Sequence, residues 1–307
     1  MRQPFLFVVD FKGDMSFVLD KTEVPFSSFS FDFNGQTNTD PAAVPKPFIF
    51  HKYPIDFAQF RAAFDQIKVE IHAGNSYLTN LTFETPIDTN YNLRELFFSA
   101  RAKYKLLCDD AFVVFSPETF IKINNGTISA YPMKGTINAA IPNAEKIILS
   151  DIKETAEHAT IVDLIRNDLS IVAKNVGVKK YRYIDKIITH EKTLLQVSSE
   201  ISGILPQDYH RQIGTILFSL LPAGSISGAP KAKTVSIINQ IEKHNRRFYT
   251  GICGYFNGYD LDSGVMIRFI EKKGDQLVFK SGGGITSFSD PQVEYQEYID
   301  KVYVPIY

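Results

Sequence analysis

Residues 119–131 read Thr119-Phe120-Ile121-Lys122-Ile123-Asn124-Asn125-Gly126-Thr127-Ile128-Ser129-Ala130-Tyr131. Two strand-like runs flank Asn125-Gly126, a dipeptide that favours tight hairpins because both residues tolerate positive φ. A hairpin means antiparallel pairing, and the pattern continues on both sides. Phe29-Ser30-Phe31-Asp32-Phe33 alternates apolar and polar residues, as a strand does. Further strand-like runs lie at Tyr77–Phe83, Phe112–Phe115, Tyr181–Thr189, Leu194–Ile201, Tyr249–Phe256, Val265–Glu271 and Gln276–Lys280, with turns at Asn257-Gly258 and Gly274-Asp275. Helical spacing appears between them. Phe57, Phe60, Phe64, Ile67 and Ile71 step by 3, 4, 3 and 4, with Asp56 as cap and Gly74 as stop. Asp151 and Glu154 are spaced as a capping box for a helix to about Leu169. Further helices are expected over Asp208–Leu221, from Pro230 to His244 and from Asp290-Pro291 to Val302. Strands and helices mix without steady βαβ alternation, which predicts an α+β fold with antiparallel sheets.

Composition narrows the function. The 307 residues carry a net charge of −1, 44% hydrophobic and 22% charged residues. That composition excludes a disordered chain and gives no basic excess for nucleic acid. Cys108 and Cys253 are far apart, so neither a disulfide framework nor a metal spacing is present, and a reducing cytoplasm is the expected location. No run approaches the ~18 apolar residues of a membrane span. Phe5-Leu6-Phe7-Val8-Val9 is broken by Asp10, too soon for a signal peptide. Pro41 to Pro47 holds three prolines in seven positions and is the candidate linker. The expected organisation is a short β-rich segment over 1–50 and one main domain over 51–307.

Four stretches can carry chemistry. Tyr131-Pro132-Met133-Lys134-Gly135-Thr136 offers a lysine amine beside a glycine that admits a ligand. Taken alone, a solvated turn lysine is the plainer reading. Glu294, Glu297 and Lys301 share one helical stripe; two carboxylates there suit a hard cation, and a surface Glu297–Lys301 ion pair is the plainer reading. Ser281-Gly282-Gly283-Gly284 is either a flexible turn or a set of backbone N–H groups for an anion, as is Gly224-Ser225-Ile226-Ser227-Gly228-Ala229-Pro230. The latter lacks the Lys-Ser/Thr ending of a nucleotide-binding P-loop. The helix bearing Glu154, Glu157, His158, Asp163, Arg166 and Asp168 lacks the second histidine of a zinc motif.

Taken in order, these stretches resemble the chorismate-utilising enzymes over roughly residues 60–307. The carriers are Gly74–Thr82, Ser116-Pro117-Glu118, Pro132–Thr136, Asp163–Asp168, Gly224–Lys231, Asp262–Arg268, Gly282–Ile285 and Glu294–Glu297. Each is weak alone; eight in one order are specific. The resemblance implies an anthranilate synthase component I-like fold, two halves around an antiparallel β-sandwich with the active site in the cleft. It implies that Glu157, Glu294 and Glu297 hold Mg²⁺ against the ring carboxylate of chorismate. Arg268, the Gly283 and Gly284 amides and Lys301 would hold the other carboxylate. Thr136, Ser225 and Gly228 would line the substrate, and Glu118 would protonate the departing C4 hydroxyl.

Lys134 selects among the family. Anthranilate synthases usually carry Ala before Gly-Thr, whereas aminodeoxychorismate synthases carry a lysine thought to attack C2 before ammonia enters at C4. The water-adding relatives use a lysine within the segment matching Ser76–Thr82, and this chain has none from Ala73 to Leu93. Leu195 stands near a family histidine linked to pyruvate elimination. The resemblance therefore implies an aminodeoxychorismate synthase component I. Its ammonia would come from a separate glutamine amidotransferase subunit, or be taken free. Gly251-Ile252-Cys253-Gly254 only superficially matches such a nucleophile, and Cys253 is expected to be a small structural residue. The alternatives are an anthranilate synthase component I and a chorismate-binding protein without turnover.

Overall fold

The computed structural model describes residues 3–40, 46–188 and 193–306. Among them, two nine-stranded antiparallel sheets pack face to face. The first runs Met133–Asn138, Thr193–Ile204, Thr127–Ala130, Thr119–Asn124, Leu261–Val265, Ile252–Phe256, Phe5–Val9, Ser16–Asp20, with Lys174–Ile188 on the far side of Thr193–Ile204. The second runs Gly228–Ala229, Leu78–Thr89, Gln276–Thr286, Phe269–Lys273, Phe112–Ser116, Tyr104–Cys108, Phe29–Phe33, Gln36–Thr37, with Phe50–Lys52 also paired to Leu78–Thr89. The hairpin at Asn125-Gly126 forms as expected, with both residues at positive φ, 48° and 76°.

Strand alternation explains the layers. Leu6 and Val8 point between the sheets, onto Phe29, Phe31, Tyr104 and Phe112; Phe7 and Val9 point the other way, into a core roofed by helices Ile152–Val172 and Ile213–Ser219. Over the second sheet, helices Phe57–His72, Lys231–Ile241 and Pro291–Asp300 bury Phe60, Phe64, Ile237 and Tyr298 against Leu81 and Ile285. Helix, sheet, sheet and helix make four layers. Residues 5–33 enter both sheets: Phe5–Val9 pairs with Ile252–Phe256, and Phe29–Phe33 with Tyr104–Cys108.

Helix starts follow their caps. Asp56 accepts from Gln59 N–H, Asp151 from Glu154 N–H, and Asp290 from the N–H groups of Gln292 and Val293. Four readings need correction. The glycines Gly282–Gly284 are no turn; they continue one strand, Gln276–Thr286. The expected strand Val265–Glu271 is two strands in different sheets, and the chain crosses between them at Arg268, which has φ +52°. The expected helix over Asp208–Leu221 is a 3₁₀ turn, Tyr209–Arg211, and a short helix, Ile213–Ser219. Pro230 caps Lys231–Ile241 and is not its first residue. Two short helices lie outside the expected elements: Leu93–Ser99, which starts at a capping box formed by Asn92 and Glu95, and Ala144–Ser150, which has no side-chain cap. Residues 41–45 of the candidate linker, and Thr189, lie outside the described residues.

Candidate active site

A cleft of about 240 Å³ opens where the free edge of the glycine strand faces Lys134 and Ser225. It is lined by ten of the expected residues: Glu118, Lys134, Thr136, Ser225, Gly228, Arg268, Gly283, Gly284, Glu297 and Lys301. Glu157 and Glu294 stand just behind the wall, both buried.

Lys134 reaches the cleft through a β-bulge. The pairing of Met133–Asn138 with Thr193–Ile204 shifts between Lys134 and Thr136, and the extra residue, Gly135, has φ +73°. Lys134 Nζ then donates to Glu157 Oε2 at 2.7 Å. Burial opposes its charge, but Glu157, with Glu297 and Glu154 beyond, overcomes that and holds the ammonium above its usual pKa. Thr136 is exposed just past the bulge, 3.5 Å from Gln196 Nε2.

Glu118 sits across the cleft. Burial raises its pKa, against the opposing effects of the Ser225 hydrogen bond and of Lys301, Lys134 and Arg268. Its partner Ser225, on the one-turn helix Gly224–Ser227, donates to Glu118 Oε1. A carboxyl shifted toward its protonated form, beside a hydroxyl, suits a general acid.

The glycine strand supplies an edge. Among the described residues, beyond Lys280 it has a strand neighbour on one side only, Leu78–Phe83. Lys301 Nζ donates to Gly282 O at 2.9 Å on the open side, so the Gly284 amide, two residues on, faces the same way. Gly283 turns its amide into the ladder opposite Leu81, and its contribution is the missing side chain. A methyl there would stand 3.6 Å from both Glu294 Oε2 and Lys301 Nζ, and 3.7 Å from Glu297 Oε1. At Gly284 it would lie 2.9 Å from Leu78 and 3.5 Å from Lys134 Nζ. Gly228, at φ +132°, packs on Leu78 O so closely that a Cβ would meet it at 1.9 Å.

Arg268 overlooks this edge with its guanidinium 5.0 Å from the Tyr303 ring centre. Among the described residues its buried Nε has no hydrogen-bond partner, and neither has Asn80 Oδ1, also in the cleft wall. One unmet donor and one unmet acceptor suit a ligand bearing a carboxylate and a hydroxyl. Asn80 was not singled out as a site residue, although it lies in the run Gly74–Thr82. Lys301 pairs with Glu297 at 2.5 Å, while burial together with Arg268 and Lys134 lowers its pKa.

The metal expectation meets a mixed geometry. All-carboxylate donors from Glu157, Glu294 and Glu297 have the right chemistry for a hard dication. Among the described residues, however, no three acidic, histidine or cysteine side chains gather closely enough to hold an ion as they stand. Lys134 and Lys301 supply the compensating charge instead, at Glu157 and Glu297. His158 is buried, bonds Ser199 Oγ at 2.7 Å, and burial lowers it to a pKa of about 4, which makes it a neutral packing residue. Cys253 lies inside the first sheet opposite Gly264; burial raises its thiol pKa, as befits a structural residue.

The chain belongs to the chorismate binding enzyme family, whose model matches residues 19–306. It is 50% identical over 307 residues to an uncharacterised PabA-like protein of Pasteurella multocida, covering 99% of this chain and 95% of that one. Aminodeoxychorismate synthase component 1 of Salmonella typhimurium is 32% identical over 258 residues, 80% of this chain and 56% of that protein. Anthranilate synthase component 1 of Spirochaeta aurantia is 36% identical over 196 residues, 61% and 39%. Anthranilate synthase component I from Streptococcus pneumoniae superposes with a TM-score of 0.70 at 26% identity, over 84% of this chain and 59% of that one. The menaquinone-specific isochorismate synthase MenF from Escherichia coli gives 0.74 at 16% identity, over 97% and 77%, a likeness of fold alone. No described helix is long and apolar enough to cross a membrane.

Proposed function

We propose that this protein aminates chorismate at C4, as the chorismate-acting component of an aminodeoxychorismate synthase. The observation that carries the reading is the position of Lys134, an amine in the cleft between Glu157 and the glycine edge, across from the Glu118–Ser225 pair. Arg268, the Gly284 amide and Lys301 would seat one substrate carboxylate. Glu157, Glu294 and Glu297 would hold Mg²⁺, which when bound supplies positive charge for the other. Lys134 enters the reaction as an ammonium, so its proton must leave first, and Glu157 is hydrogen-bonded to it. The free amine then bonds to C2, the ring double bonds shift, and the C4 hydroxyl departs as water with the Glu118 proton. Ammonia bonds to C4, the double bonds shift back, and Lys134 leaves C2 unchanged.

The relative described as PabA-like and the aminodeoxychorismate synthase similarity support a separate amidotransferase as the ammonia source. The chain alone is then expected to use ammonium salts and not glutamine.

The test is a product assay by mass spectrometry, with the purified chain, chorismate, Mg²⁺ and an ammonium salt. Aminodeoxychorismate is expected, and Lys134→Ala should lower its formation by about 100-fold or more, the scale of a lost nucleophile. Full activity of Lys134→Ala would remove the covalent route. Anthranilate from the unaltered chain would favour the anthranilate synthase reading.

A further inference from the structure

Two buried side chains outside the expected site join the walls of the cleft. The Arg246 and Glu242 side chains are each 2% exposed. Arg246 uses all five of its N–H donors within the protein. Nε and Nη2 grip the Glu242 carboxylate at 2.8 and 2.6 Å. Nη2 also donates to Asn80 O at 2.7 Å, and Nη1 to Ile226 O at 2.9 Å and Thr250 Oγ1 at 3.4 Å. Glu242 Oε1 accepts from the Thr82 backbone N–H and hydroxyl at 2.9 and 2.8 Å.

These contacts fill a gap in the second sheet. On the side away from the glycine strand, Leu78–Thr89 has strand partners among the described residues only at its ends, Gly228–Ala229 at Leu78–Thr79 and Phe50–Lys52 at Ile87–Thr89. Between them, Asn80 O and Thr82 N–H are met by Arg246 and Glu242. Asn80 and Thr82 are the residues opposite Gly284 and Gly282. The remaining carbonyl, Ile226 O, follows Ser225, whose hydroxyl holds Glu118. One rigid guanidinium is thereby fixed both to the strand beneath the glycine edge and to the turn that carries the acid's partner.

We propose that Arg246, braced by Glu242, is a positioning residue that sets the distance between the Glu118–Ser225 pair and the Gly282–Gly284 edge. The proposal rests on reading Glu118 as the acid and the glycine edge as the carboxylate seat. A lysine keeps the charge but cannot fork between two carbonyls and a carboxylate. Misplacement of reacting groups by about 1 Å costs on the order of 100-fold in rate.

The test compares Arg246→Lys, Ser225→Ala and the double variant in the full chain. Arg246→Lys should lower kcat by about 10- to 100-fold, with KM for chorismate within about 3-fold. Ser225 lowers the Glu118 pKa, while Lys134, Lys301 and Arg268, the other charges acting on it, are untouched. A displaced Ser225 therefore lets that pKa rise, and the alkaline limb of the kcat profile should move to higher pH, as in Ser225→Ala. The double variant should be within about 2-fold of the worse single one, because both changes break one linkage. Multiplying effects, or an unmoved alkaline limb with a reduced kcat, would confine Arg246 to stability and overturn the proposal. Should Arg246→Lys not fold, Glu242→Gln carries the same comparison. Should the chain form no aminated product, the functional reading fails separately, and the Glu118 titration followed by carboxyl NMR still decides the coupling, because Arg246→Lys should raise it as Ser225→Ala does.

Discussion

Burial acts on Glu118 and Lys134 in the same sense, against the charged form; it prevails at Glu118, and the neighbouring carboxylates prevail at Lys134. Glu118 has cations and a hydroxyl nearby, yet its pKa remains raised; Lys134 has carboxylates, and its pKa is raised too. Both therefore carry protons at neutral pH more readily than isolated groups. As pH climbs through the raised Glu118 pKa the acid is lost, so kcat should fall on the alkaline side. Glu118→Gln should lower kcat by about 10²- to 10⁴-fold and abolish that limb, which a kcat–pH profile reads directly. Lys134 reads alone as a solvated turn lysine, and only the order of the eight motifs singles it out. Arg246 was not legible: in Glu242-Lys243-His244-Asn245-Arg246-Arg247 it looks like part of a solvated charge run, and only the fold shows it as buried.

Elements were legible where local chemistry fixes them. Asp56, Asp151 and Asp290 start helices because a carboxylate satisfies otherwise unpaired N–H groups, a purely local rule. Gly282–Gly284 was misread because glycine run and turn go together in sequence, while here the pairing with Leu81, Thr82 and Asn80 overrides propensity. Gly282 in fact packs where a Cβ would meet Leu81 O at 2.2 Å. Val265–Glu271 was misread as one strand because nothing local announces a change of sheet at Arg268. The last helix, Pro291–Asp300, carries Glu294 and Glu297 and leads into Lys301, so its cap matters to the site. Asp290→Ala should destabilise the protein by about 1 kcal/mol in urea unfolding, the usual value of an N-cap.

Across the whole molecule, the second sheet is held partly by charge. Lys280 is fully buried, paired with Glu271 at 2.8 Å and donating to the carbonyls of Asn245 and Arg246 at 3.0 and 3.3 Å. Lys280→Met should cost about 3–5 kcal/mol of unfolding free energy, because Glu271 stays buried without its main counter-charge. Denaturant titration measures it. The mixed class and antiparallel pairing were visible in the sequence, since alternation and turn residues are local. The four-layer order was not visible from those patterns, because it depends on pairings such as Phe7 with Gly254 that no local pattern encodes.

That pairing has a temporal side. Phe5–Val9 lies between Ser16–Asp20, made at once, and Ile252–Phe256, which leaves the ribosome some 240 residues later. At about 5–20 residues per second, the wait is roughly 12–50 s. Throughout it, the Phe5-Leu6-Phe7-Val8-Val9 strand shows an open apolar edge to every other nascent chain. Synthesis of this protein therefore includes a long interval in which Phe5–Val9 lacks the strand that covers this edge in the folded molecule.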